Sequence, residues 1–164
     1  MTISSRASSA LTHTVASLPT SSGRTVGRAS TSYSNTTNKD ESLAASVLFT
    51  TGTSPTAGVI EAWAFQTRED GTWPEIFSAS YTGTDGGFTV NSRDILRAGA
   101  VLLGSVANDT TSNRSYVIQP RDLAQLFGVL YVREFAIWVT HSSGVNANST
   151  AGNHKTIVLP AYYA

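Results

Sequence analysis

Beyond residue 41 the apolar residues come in short runs broken by turn residues, and in the clearest run they alternate. Val59, Glu61, Trp63 and Phe65 point one way, while Ile60, Ala62, Ala64 and Gln66 point the other. A period of two is the period of a strand, and because both sets are largely apolar this strand is expected to be covered on two sides. Similar stretches lie at 45–51, 76–81, 88–91, 101–106, 115–119, 129–140 and 155–163. The run 129–140 is long enough to require a bend or bulge. Asp70-Gly71 and Asp85-Gly86-Gly87 supply the positive φ of tight connections. Two helical turns are expected to interrupt the strands. One spans 120–128, with Pro120 in its first turn, Asp122 near its positive end and Gly128 as its stop; the other starts after a Ser92 cap. The pattern predicts an all-β, two-sheet β-sandwich of jelly-roll or related Greek-key type, in one domain over residues 42–164.

Residues 1–41 read differently. They hold neither a strand nor a helix period for long and are expected to form an extended N-terminal arm laid on a partner. Up to Lys39 this segment contains no carboxylate and four basic groups, leaving seven basic against eleven acidic groups in the rest, so a net charge of zero hides a split of +4 and −4. The residues expected to grip a partner are Ile3, Leu11, Val15, Leu18 and Val26, by apolar burial, and Arg6, Arg24 and Arg28, by charge. The arginines are few and not interleaved with aromatics, so an acidic protein surface suits them better than nucleic acid, and direct nucleic-acid contact is not expected.

Charged residues make up 13% of the 164, and serine and threonine together roughly a quarter. Without cysteine there is no disulfide, thiol nucleophile or Cys-ligated zinc. No apolar stretch approaches the roughly 20 residues of a membrane span, and the start of the chain lacks the order of a secretory signal. His13, His141 and His154 are the three imidazoles. His141 and His154 flank the loop 142–153 and could approach one another, but two histidines make a poor metal site. Glu69 and Asp70 read as solvated turn residues, and the sequons at Asn35, Asn108, Asn113 and Asn148 as loop composition. The expectation is therefore no enzyme, no catalytic or metal-binding residue and no cofactor. Among the aromatics, Trp63 and Trp138 sit in the most apolar strands and are expected in the core, whereas Trp73, beside Pro74, is the one expected to be exposed for ligand contact.

Several segments together resemble a known group of proteins: 58–64 (GVIEAWA), an Asp-Gly turn, 100–104 (AVLLG), 122–128 (DLAQLFG) and 135–139 (FAIWV). Over residues 42–164 the chain resembles the small jelly-roll decoration, or cement, proteins of tailed-bacteriophage heads. The resemblance implies a virion structural protein on the outer capsid surface, a homotrimer, whose partners are the major capsid protein and other virion proteins. By it the arm would run across the shell and anchor the sandwich. Small sandwiches of this kind also occur in tail, neck and head-fibre components, which leaves a receptor- or glycan-binding module as the alternative, with Trp73 and the loops 108–113 and 142–153 contacting ligand.

Overall fold

The computed structural model describes residues 2–163. Among the described residues, eleven strands form two antiparallel sheets packed face to face, with two short α-helices between strands. The strands are β1 (Ile3–Ser5), β2 (Ser9–Leu11), β3 (Val26–Ala29), β4 (Tyr33–Ser34), β5 (Ser42–Thr50), β6 (Gly58–Gln66), β7 (Gly86–Thr89), β8 (Val101–Asn108), β9 (Ser115–Asp122), β10 (Glu134–His141) and β11 (Lys155–Tyr163). Helix α1 is Arg93–Gly99 and α2 is Leu123–Phe127.

The first sheet runs β1-β11-β5-β9, with β2 also paired to β11; the second runs β7-β3-β10-β6-β8, with β4 also paired to β10. The order follows from folding the chain once on itself. The pairs β1/β2 with β11, β3 with β10, β5 with β9 and β6 with β8 are the rungs of one long antiparallel hairpin whose tip is the 67–100 segment. Wrapping that hairpin brings β5 onto β11 and β6 onto β10. This is the jelly roll of two Greek keys that the sequence predicts.

The intersheet core takes Leu43, Val47 and Phe49 from β5, Ile118 from β9 and Val158 from β11. Against them stand Ile60, Ala62 and Ala64 of β6 and Phe135, Ile137 and Val139 of β10. The opposite face of the second sheet is covered as well. Trp63, Phe65, Ala136 and Trp138 pack under Ile76, Phe77, Tyr81, Val90 and Leu96 of the 67–100 segment. That cover explains the two apolar faces of β6, and Trp63 and Trp138 are core residues, 5% and 0% exposed.

Three local expectations are corrected. Residues 76–81 are not a strand: Ile76, Phe77 and Tyr81 are apolar because they roof the second sheet, and the segment is held by an isolated Phe77–Val90 bridge, by the Ser78 amide on the Thr89 carbonyl and by the Tyr81 hydroxyl on the Ser30 carbonyl. The run 129–140 becomes strand only from Glu134, leaving 129–133 as connection. Pro120 lies within β9, and α2 starts after Asp122, whose carboxylate accepts from the Gln125 amide, and stops at Gly128 in the left-handed region at φ 68°. The Ser92 cap on α1 is as predicted, its hydroxyl accepting from the Ile95 amide.

The division at residue 41 is corrected too. The N-terminal segment supplies β1 and β2 to the first sheet and β3 and β4 to the second. Leu11, Val15 and Leu18, expected on a partner, lie in the intersheet core of their own chain at 9%, 2% and 6% exposure. Burying an aliphatic side chain contributes about 1.5–3 kcal/mol, which a chain stripped of this segment would forgo at each of the three.

Candidate functional site

The three arginines of the segment find their counter-charges within the molecule. Arg6 Nε donates to Asp40 at 2.7 Å, and its guanidinium lies 4.4 Å above the Tyr162 ring. Arg24 Nε donates to Glu61 at 2.9 Å, a carboxylate that also receives two bonds from Arg93 and one from the Trp63 indole. Burial alone would push Glu61 up, yet these hydrogen bonds and the two guanidinium charges hold it below the usual carboxylate range. Arg28 grips Asp85 with two parallel bonds of 2.8 and 2.9 Å, and Thr14 donates to the same carboxylate. The charge split in the sequence is thus complementarity between two parts of one chain. Reading these arginines as free to bind a partner is corrected accordingly.

The histidines are engaged as well. His13 meets Thr156 Oγ1 at 2.8 Å and the Arg28 carbonyl at 2.9 Å; His141 meets Ser143 Oγ and the Leu18 carbonyl; His154 meets the Thr50 amide and the Asn148 carbonyl. Phe49 separates His141 from His154, with ring centroids 4.9 and 5.5 Å away. The two do come near each other, as the loop 142–153 suggests, but their ring nitrogens are taken by separate structural bonds.

Of the residues expected to bind a partner, Ile3 and Val26 are the apolar ones facing solvent, at 70% and 38% exposure. Ile3 belongs to a surface that sequence reasoning missed. It lines a groove of about 550 Å³ with Leu130, Val129, Tyr162, Ala124 and Gln125. Leu130 is 95% exposed, the largest value among the exposed large hydrophobic residues described. Local folding puts it there. At Gly128 the chain reverses, the Gly128 and Val129 amides return to the Gln125 and Ala124 carbonyls, and the next residues are thrown outward past the end of α2. The rim opposite is β1, at the border of the first sheet. Asp122 ties the groove together, capping α2 with one oxygen and accepting from Ser42 Oγ with the other. Such a groove can bury apolar surface of another macromolecule.

Trp73, expected to be exposed, is instead half-buried, because its ring packs against Phe65 and Tyr81 on the outer face of the second sheet. The loops named with it are internally bonded. Asp109 accepts from the Thr111 amide and the Tyr116 hydroxyl, which with the Arg114 charge hold it down at about 2, and Asn148 donates to Asn113. Among the described residues no helix is long and apolar enough to cross a membrane.

Comparison with protein-family models, curated proteins and solved structures returns no match.

Proposed function

We propose that the chain is a virion structural protein, a decoration protein of a bacteriophage head that docks on the outer surface of the shell and is assembled as a homotrimer. The observation that carries the reading is the solvent-facing apolar groove between Ile3 and Leu130, built on a jelly roll whose buried charges and imidazoles are committed to holding the fold. In a wet protein surface, a fully exposed leucine beside an exposed isoleucine at a sheet border is the material of an interface. Anchoring in this reading runs through the groove and not through an N-terminal arm. Shell proteins and neighbouring copies are the partners.

Two measurements test it. Antibodies against the chain should label the heads of purified particles, and label confined to tails, or none, contradicts the decoration role. Leu130→Glu should leave the circular dichroism spectrum and unfolding temperature unchanged while lowering particle binding at least tenfold, the effect of losing one well-buried anchor. Undiminished binding by that variant removes the groove from the account.

A further inference from the structure

We propose that the cleft beside Trp73 is a binding site for a neutral saccharide. It has a volume of about 350 Å³ and is lined by Trp73, Glu75, Ser78, Ser80, Tyr81 and Asn91 among others. It shares no lining residue with the Ile3–Leu130 groove, and the inference stands independently of the decoration role.

Three features select the ligand. The first is a rigid aromatic surface. The Trp73 ring stands nearly perpendicular to Tyr81 at 4.8 Å and 87°, and to Phe65 at 5.5 Å and 67°, while the Tyr81 hydroxyl is fixed by donating to the Ser30 carbonyl. A half-buried indole held in this way loses little freedom when a flat ligand stacks on it.

The second feature is unused hydrogen-bonding capacity. The Trp63 indole N–H donates to Glu61 and that of Trp138 to the Phe88 carbonyl, whereas that of Trp73 has no acceptor among the described residues. Glu75, Ser78 and Ser80 are exposed, and their side chains make no hydrogen bond among those residues. Asn91 reaches the Phe77 carbonyl only at 3.5 Å.

The third is charge. Glu75 is the ionisable acid of the lining and no cation faces it there, so phosphates and acidic sugars are repelled. A pyranose ring meets all three conditions: one flat C–H face for the indole, and hydroxyls that both donate and accept for the carboxylate, hydroxyls and amide. The volume, at the small end of ligand pockets, suits one or two sugar rings.

The test is a titration of the ¹⁵N-labelled full chain with maltose, lactose, mannobiose and N,N′-diacetylchitobiose, following the three indole N–H resonances. The proposal expects at least one of these sugars to move the Trp73 signal to saturation while Trp63 and Trp138 stay in place. Glu75→Ala, an exposed change that leaves the fold intact, should weaken that binding about fivefold, the loss of one hydrogen bond. Trp73→Phe keeps an aromatic ring against Tyr81 while removing the indole N–H, and should weaken it too. The proposal is overturned if no disaccharide moves the Trp73 signal, if all three indoles move alike, or if choline moves Trp73 where the sugars do not.

Discussion

Each of the three imidazoles acts as a donor that staples one backbone segment to another. Because a carbonyl can only accept, Nε2 carries the proton in His13, His141 and His154, bonded to Arg28, Leu18 and Asn148 respectively. Burial pushes all three below the ordinary imidazole value, His13 to about 4. In the unfolded chain they take up protons near pH 6.5, so between that pH and about 4 the unfolded state binds more protons and stability falls as pH falls. For His13 the full effect is on the order of 3 kcal/mol, an upper bound because the residue is only partly buried. Urea unfolding from pH 7.5 to 4.5 should show the midpoint decline steadily below 6.5, and long-range ¹⁵N–¹H spectra at pH 7 should show three Nε2–H tautomers. A midpoint that does not change over that range would contradict the assignment. Glu61 is the other decisive residue: Glu61→Gln removes a carboxylate, 6% exposed, from between the partly exposed Arg24 and Arg93, and should cost about 1.5–3 kcal/mol by thermal melting.

At the scale of elements, what the sequence made legible was set by length. Strands β5, β6, β8, β9 and β11 are long, carry a period of two or a continuous apolar run, and fall where the pattern puts them. The Ser92 cap of α1 and the Gly128 stop of α2 were legible because each acts within a turn of its own position, whereas Asp122, read as lying inside a helix begun at Pro120, is the residue that caps it. Strands β2 and β3, with three and four residues, contain Ser-Ala-Leu and Val-Gly-Arg-Ala. Nothing local marks them, because their partners are distant in the chain: β11 for β2, and β10 and β7 for β3. A signal was present in the charges, since a stretch with arginines and no carboxylate beside an acidic body is what internal pairing looks like before folding. Gly27 shows how closely β3 is seated. A Cβ there would lie 2.3 Å from the Val139 carbonyl oxygen and 2.6 Å from the Trp138 ring. Gly27→Ala should therefore destabilise the protein by about 1–3 kcal/mol or more, read as a lower unfolding midpoint, whereas the same change in a free arm would leave stability unaltered. The groove escaped sequence reasoning for a related reason: Leu130 sits in an apolar run that continues into a real strand, and only the reversal at Gly128 turns it outward.

For the whole molecule, the jelly roll makes the two ends of the chain one structure. The N-terminal strands are half of the outermost rungs of the folded hairpin, so a chain beginning at Ser42 would expose one border of β11 and one of β10 and open the core beside Leu11, Val15 and Leu18. Such a chain should be insoluble or lack a cooperative melt. The full-length protein offers the most direct test, through amide hydrogen exchange along residues 18–31. Ser21 donates to the His141 carbonyl, Ser30 to that of Ile137 and Thr31 to that of Thr12, each at 2.8 Å. If the segment belongs to the sandwich, the Ser21 and Ser30 amides should exchange as slowly as those of β10, at rates governed by global unfolding. Exchange of these amides at the rate of an unstructured peptide, while β10 stays protected, would mean that residues 1–41 are a free arm after all.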